Sequence, residues 1–161
     1  MTLVSLTKYH REVPAAPASL DLAEIAARLR HGVGRLARRL RREGAAPGPG
    51  QPQVSALTAI ERNGTMTMGA LSAHEQVQPP TMTKIVAGLV EDGLVARAPD
   101  PLDRRIAWLT VTPEGRRLLS RRRRNMDSFL VKRLRALPPE DVATLERAAE
   151  IIAELTEEPP K

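Results

Sequence analysis

Two short runs in this 161-residue chain carry side chains arranged for holding a polyanion rather than for making bonds. The first is Gln78-Pro79-Pro80-Thr81-Met82-Thr83-Lys84. Its paired prolines open a helix, because the first N–H groups of a helix have no intrahelical partner to lose. Gln78, Thr81 and Lys84 then fall on or near one exposed side of that first turn. Glutamine can bond adenine through two atoms, lysine can read guanine or hold a phosphate, and Thr81 and Met82 can touch a thymine methyl. Met82 also suits a core and Thr83 a helix start. The second run is Asp103-Arg104-Arg105. Two guanidiniums on a narrow tip fit a minor groove, where negative potential concentrates over A·T-rich DNA. An acid beside phosphates is unfavourable unless it orients an arginine, so Asp103 is expected to brace Arg104 or Arg105. The plainer alternative is a turn aspartate with two solvated arginines. Arg116 follows closely and is a phosphate candidate, with Arg117 beside it.

The elements that must position these residues follow from periodicity and punctuation. Leu22, Ile25, Leu29, Val33, Leu36 and Leu40 recur every three or four residues, which predicts a helix over 20–42, with Asp21 and Glu24 at capping-box spacing. Its other faces carry seven arginines and no acid between 28 and 42. The run GAAPGPGQPQ (44–53) predicts a loop. Val54, Leu57 and Ile60 mark a second helix over 53–62, closed by Asn63-Gly64 as a left-handed cap. Thr67 is placed to N-cap a short helix, and the helix opened by Pro79-Pro80 ends at Asp92-Gly93. Two helices joined by a tight turn make a helix-turn-helix. Residues 94–98 and 106–111 are β-prone and flank the charged tip, so they read as a hairpin, or wing. Thr112-Pro113 starts a long helix ended by Pro138-Pro139. The last helix is expected to turn Val142, Leu145, Ala148, Ala149, Ile152 and Leu155 inward.

Composition narrows the chemistry further. The net charge is +6 and 21 of the 25 cations are Arg, the side chain suited to forked phosphate and guanine contacts; GC-rich coding is the bland explanation of the same bias. There is no Cys, which excludes disulfides, thiolate zinc sites and thiol redox sensing. Three aromatics make base stacking on single strands a poor fit, leaving duplex DNA as the better polyanion. No leader-like segment or apolar run of 18 residues appears, so a cytoplasmic, nucleoid-associated protein without membrane contact is expected. His10, His31 and His74 are isolated and assemble no catalytic or metal constellation, so neither an enzyme nor a cofactor is expected. Of the run Arg121–Arg124, side chains about 100° apart cannot share one face, so at least one should meet the interior, a partner or an anionic effector.

The stretch from Thr67 through Gly115 resembles the MarR family of bacterial winged-helix transcription regulators. Asp103 to Gly115 matches that family's wing pattern D-x-R-x-x-x-L-x-[LV]-T-x-x-G, and Pro80 to Lys84 with Leu89 and Gly93 is similar to its recognition helix. The resemblance implies a mainly α fold with a small β wing, in four parts: a tail (1–19), an N-terminal dimerisation helix and loop (20–52), a winged helix-turn-helix unit (53–115) and C-terminal dimerisation helices (116–158). It further implies a homodimer on a pseudo-palindromic operator, most often a repressor, released by a small phenolic or lipophilic effector. Glu75 and Gln76 depart from the family's turn, which usually has an apolar residue and then Gly. Glu75 is expected instead to tether a basic neighbour. A non-specific architectural DNA-binding protein is the alternative, and the defined recognition helix argues against it.

Overall fold

A computed structural model of the protein describes residues 21–45, 47–103 and 106–156; the expected tail over 1–19 lies outside them. The elements in chain order are α1 (Leu22–Glu43), α2 (Gln51–Asn63), β1 (Thr65–Thr67), α3 (Met68–His74), α4 (Pro79–Glu91), β2 (Val95–Pro99), β3 (Ala107–Val111), α5 (Pro113–Leu134) and α6 (Pro139–Thr156). The chain divides within α1 into two compact units, one ending at Arg38 and the other beginning at Arg39.

In the first unit, Asp21 Oδ1 accepts from the N–H groups of Ala23 and Glu24 (2.9 and 3.2 Å), which caps α1 where the sequence places its start. None of its apolar stripe is buried. Two of its arginines are paired along the helix, Arg28 with Glu24 and, in the second unit, Arg39 with Glu43.

The second unit holds the core. Leu57 and Ile60 of α2, Leu71 of α3, Met82, Val86 and Leu89 of α4, and Leu109 of β3 are essentially removed from water. α2 packs on α4, and α5 closes over α2 and β3. The sheet has three antiparallel strands in the order β1-β3-β2. β3 alternates strictly, with Ala107, Leu109 and Val111 inward and Trp108 and Thr110 outward.

Several expectations change. α2 starts at Gln51 rather than 53, because Pro52 is accommodated in the first turn and the Gln53 side chain accepts from the Gly50 N–H (2.8 Å). Gly64 does take a positive φ (81°), but with ψ −101° it is no left-handed helical cap: it turns the chain directly into β1. β1 itself is unforeseen, since three residues are too few to show a period; it pairs Thr65, Met66 and Thr67 with Thr110, Leu109 and Trp108. Pro139 opens α6 rather than ending α5, which stops at a C-cap on Arg135. The apolar residues expected to face inward from α6 meet no core: none of that helix is buried.

Candidate nucleic-acid interface

α4 is amphipathic in the sense a groove-reading helix requires. Gln78 is its N-cap and Pro79 and Pro80 occupy its first turn. Gln78, Pro80, Thr81, Thr83 and Lys84 are exposed, while Met82, Val86 and Leu89 hold the opposite face in the core. Met82 is therefore corrected: fully buried, it is an anchor of the helix and cannot reach a thymine methyl. Thr83 is exposed, but its hydroxyl donates to the Pro79 carbonyl (2.9 Å), which commits that proton to the helix.

The turn before α4 departs from what the residue types suggest. Gln76 sits at φ 54°, a left-handed conformation that costs a non-glycine residue free energy. Its neighbour Glu75 is held by Ser55 of α2, whose hydroxyl donates to Oε2 (2.6 Å). Glu75 thus ties the turn to α2 chiefly through a hydroxyl, with His74 Nδ1 farther away at 3.6 Å. The chain closes the turn with Val77 N–H donating to the Ser72 carbonyl (3.0 Å).

The wing is built on a residue that motif reasoning passed over. Asp100 Oδ1 accepts from the N–H groups of Leu102 (2.8 Å) and Asp103 (2.9 Å), and Oδ2 accepts from Trp108 Nε1 across the hairpin (2.7 Å). These three donors hold the Asp100 carboxyl below the ordinary aspartate range, the indole contributing most. Asp100 N–H in turn donates to the Ile106 carbonyl, and Ile106 N–H to the Asp103 carbonyl. The available signal was the spacing of an aspartate two and three residues before backbone donors, the pattern of an Asx turn. Arg104 and Arg105 lie outside the described residues, and so does the bracing of either by Asp103.

Where the wing meets α5, one side chain makes the junction. The Thr112 hydroxyl donates to the Gly93 carbonyl (2.7 Å) and accepts from the Gly115 N–H (3.1 Å), while Thr112 N–H donates to the Leu94 carbonyl (3.0 Å). A Cβ on residue 115 would lie 2.4 Å from the Leu94 carbonyl oxygen and 2.8 Å from Val111 Cγ1. This is the physical content of T-x-x-G: a cap and a contact only glycine permits.

The basic run on α5 is divided among roles. Arg116 is exposed but spends one guanidinium N–H on the Val111 carbonyl (2.7 Å), which holds its head group beside the wing. Arg117 pairs with Glu114. Arg123 grips Glu61 of α2 through two bonds (2.7 and 3.2 Å); this bond holds the Glu61 carboxyl below its usual range and raises the guanidinium. Arg122 is the member that meets the interior, 7% exposed, and burial lowers its pKa. Arg39 and Arg133 both stand about 5 Å from the Phe129 ring (5.2 and 5.3 Å).

Among the described residues no group of three or more acidic or histidine side chains is placed to hold a metal ion, and no helix is long and apolar enough to cross a membrane. A MarR family model matches residues 51–107. A helix-turn-helix-type transcriptional regulator of Mycobacterium leprae is 39% identical over 138 residues, spanning 86% of this chain and 96% of the relative. The transcriptional repressor IacR of Pseudomonas putida is 29% identical over 101 residues, 63% of this chain and 60% of that repressor. A solved structure from Pseudomonas aeruginosa is similar with a TM-score of 0.76 at 30% identity, covering 85% of this chain and 97% of that one.

Proposed function

The chain belongs to the MarR family of helix-turn-helix transcriptional regulators, and from that premise we propose that it is a repressor binding a pseudo-palindromic operator as a homodimer. The observation that carries this reading is the exposed polar edge of α4. Gln78, Thr81 and Lys84 stand in water at the N-terminal end of a helix whose other face is locked into the core by Met82, Val86 and Leu89. A helix so held presents its first turns to base edges in a major groove. The wing brings Arg104 and Arg105 to the neighbouring minor groove, and Arg116, with one guanidinium nitrogen held by the Val111 carbonyl, takes a phosphate through its remaining N–H groups. The likeness to IacR supports repression over activation. Release by a small phenolic or lipophilic effector belongs to the same reading.

Selection from randomised duplexes tests it. Enrichment of an inverted repeat is expected, with Arg105→Ala weakening binding to the selected duplex by about 1–3 kcal/mol and Arg116→Ala lowering the salt slope by about one. Equal affinity for all sequences at moderate salt would instead support the architectural alternative.

A further inference from the structure

Leu102 projects from the tip of the wing with 96% of its surface in water, more than any other large apolar residue described. Exposure alone is common for a single leucine. What sets Leu102 apart is that its backbone is held there. Its N–H donates to Asp100 Oδ1, the next N–H does the same, the other carboxylate oxygen is bound by Trp108, and the base of the tip is closed by Asp100 N–H on the Ile106 carbonyl. Because it buries almost no apolar area, Leu102 adds little by hydrophobic burial to the fold that holds it. In the sequence it immediately precedes Asp103-Arg104-Arg105, the run assigned to the minor groove.

We propose that Leu102 is an apolar wedge that enters the minor groove with the wing arginines, partly unstacks one base step and kinks the duplex toward the major groove. The proposal rests on the reading that the wing occupies a minor groove. A leucine buried between bases gains the apolar contact it lacks in the free protein. Fixing the tip beforehand by the Asp100 bonds lowers the ordering cost of insertion. Pyrimidine–purine steps unstack most easily, so Leu102 would select the step under the wing without any hydrogen bond to a base. That is a specificity determinant separate from Gln78, Thr81 and Lys84.

The test uses the full-length protein and a duplex recovered by selection, labelled at its ends for energy transfer and carrying 2-aminopurine at the step beneath each wing. Wild type should bend the duplex within the range of about 20–90° and brighten 2-aminopurine. Leu102→Ala should fold with an unchanged thermal midpoint, lose most of the bend and the brightening, and no longer prefer a pyrimidine–purine step there. Leu102→Met should keep all three. If Leu102→Ala keeps the bend and the step preference, or if wild type binds its duplex without either signal, the wedge is overturned while the DNA-binding reading stands. If wild type enriches no duplex, the reading beneath it fails and the wedge falls with it.

Discussion

Asp100 shows how one carboxylate can organise a functional tip. Its acceptors are shared among an indole N–H and two backbone N–H groups, all of which favour the ionised form. A carboxyl whose pKa is depressed on folding contributes stability that is present above its unfolded value, about 3.9, and is lost as pH falls through the lower folded value. The wing should therefore keep this support in full above about pH 4 and lose it progressively as pH falls through the lower folded value. Trp108 is the sole tryptophan, so its emission reports this directly: a shift is expected below about pH 4 in wild type, with no such titration in Asp100→Asn. The same acid-induced shift in Asp100→Asn would contradict the assignment. Gln76 makes the complementary point, because a left-handed φ at a residue of this type is invisible to propensity and is enforced by the turn around it. The candidate readers Gln78, Thr81 and Lys84 were legible from their spacing after two prolines. Met82 was not separable from them in the same terms, since the residue suits a groove and a core equally until the packing is known.

At the scale of elements, helix boundaries set by caps were readable and those set by packing were not. Asp21, Thr67 and Thr112 each accept the N–H bonds their positions predict. β1 exists because β3 offers it a free edge, a non-local cause that three residues cannot announce. The junction of β2, β3 and α5 depends on Gly115, whose missing Cβ lets the helix approach the Leu94 carbonyl. Gly115→Ala should cost about 1–3 kcal/mol by overpacking against backbone that cannot yield. Chemical denaturation measures this, and a loss below about 0.5 kcal/mol would show that α5 can shift at small cost. The Arg121–Arg124 run divides as its 100° steps require: Arg122 inward, Arg123 onto Glu61, and Arg121 and Arg124 exposed.

At the scale of the whole molecule, α1 and α6 pose the same question. Both are amphipathic, neither buries a residue, and Leu22, Leu36, Leu145 and Leu155 stand in water. Apolar stripes of this length on an isolated chain call for a cover. Their charges are opposite, with seven arginines on α1 and mostly acids on α6, although exposed ion pairs contribute only about 0.2–1 kcal/mol each and burial must supply the rest. A second copy is the proposed cover. Leu36→Glu together with Leu145→Glu should yield a folded monomer by sedimentation, with loss of operator binding because a single lobe reads one half-site. A double variant that remains dimeric would place the interface elsewhere. The net charge of +6 has the same two-ended character: residues 97–124 hold nine arginines against three acids. The sequence by itself determined the order of helices, the N-caps at Asp21, Thr67 and Thr112, the wing motif and the basic segments, because each is written in spacing and residue type within a few positions. Tertiary structure alone decided that Met82 is core, that the Trp108 indole reaches Asp100 across the hairpin, and that residue 115 lies against the Leu94 carbonyl. Those facts depend on which distant atoms meet, and no local pattern encodes that.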